Sequence, residues 1–322
     1  MDRNQSLDGL KYILICFVVI GHFIEPSRYS NNISGLLFSY IYTFHMPLFI
    51  WMNGYFFKKR DIKTEFIKCL PFLEICFLSH LGCRLIQNCG LPSIKDMLVF
   101  GTPAWYLICL VSWRLLTTLA LRKMSVKTLF FISVFFELTT FLTCSKYGTL
   151  LSIIRTIQFY PFFLLGCLMK NKLDILDNKK ILMYFGSLIS IVFIYFSSSR
   201  FLHLVEFQRG GLMDLTPYTS LNPYSLFAFR YAVIISSLFI SATILTLAKS
   251  SNILKRFANY GQQTLFIYYI HIFVYAIVIK IYPSFLMSLL FSFVYIILIT
   301  ILSKFPKIKW LMNPVFKYFK II

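Results

Sequence analysis

The stretch LDGLKYILICFVVIGHF occupies residues 7–23. Ten residues separate Lys11 from His22, none of them charged and most of them strongly apolar. About twenty apolar residues in a helix cross the roughly 30 Å of a bilayer's hydrocarbon, so the stretch reads as a membrane span. It nevertheless carries a cation at one end and an imidazole near the other. Eleven steps of 100° come to about 1100°, some 20° past three full turns, so Lys11 and His22 share one helix face with about 16 Å of rise between them. Asp8, three residues before Lys11, is placed to pair with it.

Working outward, the composition fits the same reading. The 322 residues are 58% hydrophobic and only 14% charged, more apolar surface than a soluble domain tolerates, and the mean hydropathy is +0.73. The first span has no small-residue cleavage site and many spans follow it, which argues against a signal peptide. A net charge of +20 would suit nucleic acid. Most Lys and Arg, however, sit in short clusters between apolar runs, as membrane topology requires, and no nucleic-acid-binding motif is present. The eight cysteines show neither metal-ligand spacing nor a disulfide framework and read as small core residues.

These features predict an all-α polytopic membrane protein with about ten spans, near 8–25, 34–57, 67–87, 98–120, 127–144, 150–169, 181–199, 223–247, 262–281 and 284–303. The strongly basic connections KKRDIK (58–63), RKMSVK (122–127), KNKLDILDNKK (170–180) and KSSNILKR (249–256) are every second one, and the tail from Lys304 is basic too. Both termini are therefore expected in the cytoplasm, and residues 1–322 form a single membrane-embedded domain. The tail KFPKIKWLMNPVFKYFK reads as an interfacial anchor on anionic lipid. The connection from about Arg200 to Tyr224 is long enough for either a linker or a lid.

Ionisable residues inside spans are costly and usually face a protein interior or a watery cavity. Lys11 would lie near the inner surface and His22 in the outer half; alone, each has a plain reading, as a snorkelling anchor and a packed histidine. In the second span, SYIYTFHMPLFIWMNGYFFKKR, His45 falls near mid-membrane at a depth similar to that of His22; Pro47 would kink the helix and Gly54 would allow close approach. Arg114, Arg155, Arg230 and His271 lie in spans four, six, eight and nine, with Glu74 and Glu137 in spans three and five. Two glutamates cannot neutralise these arginines, so a cationic site suited to phosphate, carboxylate or a developing oxyanion is expected. The alternative is a purely structural salt-bridge network. His80 and Arg84, one turn apart in span three, read as structural or interfacial.

The residues resemble the integral-membrane acyltransferase 3 family, and within it the stand-alone sugar O-acetyltransferases similar to fucose 4-O-acetylase. LDGLKYILICFVVIGHF looks like its first-helix motif, a basic residue, ten residues, then His. FHMPLFIWMNGYFFKKR resembles its second-helix motif, with Asn53 where Ser is usual. AWYLICLVSWRLL, which begins around Trp105, and RTIQFYPFFLLG resemble its middle helices, and GQQTLFIYYIHIF a late one. Lys11 stands where Arg is more frequent; Lys keeps the charge but loses the bidentate fork. The esterase-like domain fused to some members is expected to be absent.

The resemblance implies transfer of an acyl group, typically acetyl from acetyl-CoA as a donor co-substrate with no tightly bound cofactor, to a carbohydrate hydroxyl at a bacterial cytoplasmic membrane. Lys11 would hold CoA phosphates. His22 would act as general base or accept the acetyl group itself, two routes the sequence leaves open. His45 would orient His22 or the acceptor, and Arg155, Arg114 or Arg230 would stabilise the oxyanion. Asn53, Trp105 and His271 belong to motifs expected to contact substrate. A transporter or flippase for a charged lipid-linked glycan would also need intramembrane cations, and is the competing class.

Overall fold

The computed structural model describes residues 4–88, 90–143, 150–200 and 222–305, and these residues contain helices and turns but no β-strand. The ten principal helices are α1 (Gln5–Ile24), α2 (Asn32–Tyr55), α3 (Ile62–Asn88), α4 (Trp105–Ala120), α5 (Val126–Thr143), α6 (Ile153–Leu168), α7 (Lys180–Arg200), α8 (Pro223–Lys249), α9 (Thr264–Ile281) and α10 (Phe285–Leu302). Each expected span falls on one of them. Among the described residues seven have the length and apolarity to cross a membrane, namely α1 to α3 and α7 to α10.

Helices α4 and α6 are shorter than expected, at 16 residues each. At about 1.5 Å per residue such a helix covers about 24 Å, less than the hydrocarbon thickness. Local backbone explains both late starts. Residues 99–104, which include Pro103, are not helical, and Leu151 and Ser152 take left-handed φ angles of 44° and 52° before Ile153. Phe131, Phe135, Phe185, Phe196, Leu286 and Phe293 are all exposed, apolar surface that suits lipid rather than water. The chain is an integral membrane protein. Most of the long connection (201–221) and of the basic tail (306–322) lies outside the described residues.

The chain divides into two compact units. Unit one holds Met1–Phe38, Leu70–Leu107 and Leu247–Ile322; unit two holds Ser39–Cys69 and Ile108–Thr246.

In unit one, α1 begins where the Asn4 side chain accepts a hydrogen bond from the Leu7 amide at 3.1 Å, which satisfies an amide that the first helical turn leaves without a carbonyl partner. Its first turns lie so close to the segment 252–261 that a Cβ at Gly9 would meet the Leu254 carbonyl oxygen at 1.9 Å. Tyr12 stacks on Phe257 and bonds the Thr300 hydroxyl at 2.9 Å, which ties α1 to α10. Helix α1 ends at Ile24, where Glu25-Pro26 opens a 3-10 turn over Glu25–Tyr29. The Ser27 hydroxyl bonds the Ile24 carbonyl at 3.0 Å and the Ser34 hydroxyl at 2.8 Å, which fixes that turn.

In unit two, Trp113 donates its indole N–H to the Thr156 carbonyl at 2.7 Å and Thr117 meets the Tyr160 hydroxyl at 2.9 Å, joining α4 to α6. Gly54 permits the close approach expected of it, since a Cβ there would sit 1.8 Å from the Phe163 carbonyl oxygen. Pro47 lies inside an uninterrupted α2. A second core of Phe141, Ile194, Leu226, Val233 and Ile240 packs α5, α7 and α8 together.

Candidate functional site

The polar end of α1 is the densest convergence of reactive side chains in unit one. His22 sits in the last turn of α1, and the 3-10 turn places the Glu25 carboxylate three residues later on the same side. Glu25 Oε2 lies 3.5 Å from His22 Nδ1. The same carboxylate accepts from Arg28 Nη1 at 3.2 Å and from the Tyr275 hydroxyl at 2.9 Å. From α9, Tyr268, His271 and Tyr275 line one helical face at spacings of three and four. The His22 ring lies 4.8 Å from the Tyr275 ring and 5.5 Å from that of His271, centroid to centroid.

His271 is completely buried. Its Nδ1 bonds the Tyr268 carbonyl. A carbonyl oxygen only accepts, so Nδ1 carries the proton and Nε2 presents a lone pair. That Nε2 has no hydrogen-bond partner among the described residues. Left without a partner, a buried nitrogen costs about 1–3 kcal/mol, a cost that a hydrogen bond from a bound substrate group would remove. His22 is mostly buried, with its side chain 14% exposed.

Lys11 lies on the same helix as His22, and its Nζ bonds Asp8 Oδ1 at 3.0 Å, the pair expected from their spacing. Trp105 opens α4 within unit one, beside Tyr106, whose ring is 5.6 Å from that of Tyr268. His80 and Arg84 are structural. His80 Nδ1 meets the Thr102 hydroxyl at 2.7 Å and its Nε2 the Asp96 carbonyl at 3.0 Å, while Arg84 donates to the Val99 carbonyl at 2.9 Å. Together they strap the segment 96–102 onto α3. Outside the spans, hydrogen bonds from Ser93 hold the Asp96 carboxyl below the ordinary carboxylate range and close a capping box.

The remaining candidates belong to unit two. His45 is buried on α2 and donates from Nδ1 to the Ile41 carbonyl at 2.6 Å, with its ring edge-on to Tyr42 at 4.7 Å. Asn53 turns back to the Phe49 carbonyl at 2.7 Å. Arg155 is buried in the first turn of α6. Arg230, 1% exposed, is held by Glu137 through Nε at 3.1 Å and through a second contact from Nη2, and the Tyr231 hydroxyl donates to the other Glu137 oxygen at 2.9 Å. Arg114 Nε reaches Glu65 Oε1 at 2.6 Å, and Arg60 takes Oε2 at 3.0 Å. Glu65 is completely buried. Its place just before the expected third span hid it from the sequence-based charge balance, so Arg114 has a carboxylate partner which that reading did not supply.

Glu25, Arg28 and Tyr275 were not expected at the site. The i+3 spacing of His22 and Glu25 and the i+4 spacing of His271 and Tyr275 are signals that would have found two of them. Unit two also contains a cavity of about 430 Å³ lined by Pro47, Trp51, Phe162, Met183 and Phe239 among others; none of the expected site residues lines it. Among the described residues no three His, Cys, Asp or Glu side chains are grouped to hold a metal ion.

Two curated relatives are similar to the chain. One is Nodulation protein NolL of Sinorhizobium fredii (strain NBRC 101917 / NGR234), 26% identical over 211 residues, which cover 57% of this chain and 54% of the relative. The other is Nodulation protein NolL of Mesorhizobium japonicum (strain LMG 29417 / CECT 9101 / MAFF 303099), 28% identical over 189 residues, 52% of this chain and 48% of the relative. The chain thus spans about half the length of the curated relatives it matches. No solved structure matches it. The model of the acyltransferase domain family matches residues 4–304, which takes in Lys11, His22, Glu25 and His271 together, and the chain belongs to that family.

Proposed function

We propose that the protein is a membrane O-acyltransferase that moves acetyl from acetyl-CoA to a hydroxyl of a cell-surface or lipid-linked glycan. The observation that carries this reading is the site at the end of α1: an imidazole backed by a carboxylate and faced by a second imidazole with a bare nitrogen, in a chain of the acyltransferase domain family.

In the proposed reaction the acceptor hydroxyl gives its proton to His22 as its oxygen attacks the thioester carbonyl carbon. The tetrahedral intermediate expels CoA thiolate as the C–S bond breaks, and the imidazolium returns the proton to sulfur. The products are an ester and CoA. The Glu25 carboxylate favours this general-base route, because it stabilises the imidazolium formed on the way. His271 Nε2 accepts a hydrogen bond from the acceptor sugar, whose ring Trp105 helps to bind. Lys11 holds CoA phosphate at the other end of α1, and the pantetheine arm is comparable in length to the rise between Lys11 and His22.

For unit two the proposal rests on the resemblance: Arg155 as oxyanion stabiliser, His45 and Asn53 as acceptor-side hydrogen-bonding groups. Arg114 and Arg230 are given a structural role, since each already holds a buried glutamate. We place the chain in a bacterial cytoplasmic membrane as one domain with ten spans and both termini inside, on the alternation of basic connections. Reporter fusions after residues 60, 125, 175 and 252 should then report cytoplasm, and one near residue 212 the opposite face.

Mass spectrometry of surface glycan from cells with and without the gene tests the function. A gain of one acetyl mass per repeat is expected. Glycan that appears at the surface only with the gene, at unchanged mass, would indicate a transporter instead.

A further inference from the structure

Glu25 is held more firmly than a surface carboxylate would be. One oxygen accepts from Arg28 and the other from Tyr275, while the turn that carries it is tied by Ser27 and Ser34 to the end of α1 and the start of α2. Arg28 is itself seated over the Phe38 ring, 4.7 Å from guanidinium carbon to centroid. The Tyr275 ring packs on His22 while its hydroxyl grips the carboxylate, so one side chain fixes both partners. The carboxylate then faces Nδ1 of His22 and not Nε2.

We propose that Glu25 is the positioning residue of His22: its carboxylate holds the proton on Nδ1 and thereby turns Nε2 into the nitrogen that receives the acceptor proton. The separation of 3.5 Å is long for a hydrogen bond, as such contacts often are before substrate binds, and it shortens in the working complex. Without the carboxylate the neutral ring distributes its proton over both nitrogens, and much of the population offers Nδ1, the wrong atom. Tyr275 acts one step further out by holding the Glu25 oxygen nearest to His22. His271, with its own tautomer set by Tyr268, does not replace it.

This inference rests on the proposed acyl transfer, so its test needs a readout that does not depend on turnover. The full-length protein would be labelled with ¹⁵N-histidine, placed in lipid nanodiscs, and the His22 ring nitrogens assigned against the His22→Gln variant. The Nδ1–H tautomer is expected in the wild type, and a mixture in Glu25→Gln. In acetyl-transfer assays Glu25→Gln is expected to lower kcat about a hundredfold with the KM for acetyl-CoA within about twofold of wild type. Glu25→Asp should recover part of the loss. Tyr275→Phe, which leaves the carboxylate in place, should lower kcat by about three- to tenfold, and keeps the proposal testable if Glu25→Gln fails to fold. A His22 tautomer that is unchanged in Glu25→Gln, or a Glu25→Gln kcat within about threefold of wild type, would overturn the positioning role. Absence of acetyl transfer by the wild type would instead overturn the proposed function, and the tautomer measurement would still decide the role of Glu25.

Discussion

In unit two, the Arg230 guanidinium meets Glu137, and Glu65 divides its two oxygens between Arg60 and Arg114. Among the described residues each buried carboxylate there is matched by a cation close enough to cancel it. In unit one, His271 is as deeply buried as Glu65, yet one of its nitrogens has no hydrogen-bond partner among the described residues. His80 sharpens the contrast from inside unit one, because it too is fully buried and both of its nitrogens are bonded. A closed set of polar groups stabilises a fold. A set with one atom left open is a cost to the fold, and the open atom is where a substrate group can bind.

The largest effect expected from this contrast is on stability in unit two. Removing one member of a buried ion pair strands the other charge, at a cost of about 3–5 kcal/mol. Arg230→Met should therefore cut the amount of folded protein in the membrane severely, and Arg230→Met with Glu137→Leu should restore much of it. Quantitative immunoblots of solubilised, monodisperse protein would measure both. If the single variant accumulates normally, the pair is not the closed structural element described.

His271→Phe should behave in the opposite way. It removes a half-bonded imidazole and supplies an apolar ring of similar size, so thermal stability in detergent should change by less than about 1 kcal/mol. Acetyl transfer per folded molecule should fall about tenfold or more, as expected when a buried hydrogen bond to substrate is lost. An active His271→Phe variant would reduce His271 to packing.

The matching change at the closed histidine, His80→Phe, strands the Thr102 hydroxyl and the Asp96 carbonyl. It should cost about 1–3 kcal/mol in thermal denaturation while the turnover of the surviving protein is unchanged. The smallest effect is expected at Lys11, whose charge Asp8 partly balances. Lys11→Ala should raise the KM for acetyl-CoA several-fold with kcat retained, and Lys11→Arg should stay near wild type. Wild-type kinetics for Lys11→Ala at limiting donor would leave Lys11 as an interfacial anchor.

Much of the fold was legible because it is local. Apolar length places the helices, and the Asp8–Lys11 pair follows from helical spacing alone. The late start of α6 was not legible, because left-handed backbone at Leu151 and Ser152 leaves no composition signal in an apolar run. The site was half legible. Intramembrane histidines and arginines stand out in any hydropathy reading, but their partners do not. Glu25 stands at the end of the first expected span and Glu65 just before the third, and only the folded chain brings each to its cations. The juxtaposition of His22 with His271, 249 residues apart, is tertiary and leaves no trace in either local stretch.

The central claim is that His22 carries the chemistry of acyl transfer. It is tested by reconstituting wild-type and His22→Gln protein in liposomes with acetyl-labelled acetyl-CoA and the host's extracted glycan, at equal amounts of folded protein. The account predicts labelled ester and one free CoA per acetyl transferred with the wild type, and a rate about a hundredfold to ten-thousandfold lower with His22→Gln, which keeps hydrogen bonding but accepts no proton at neutral pH. Transfer by His22→Gln within a few-fold of wild type would contradict it.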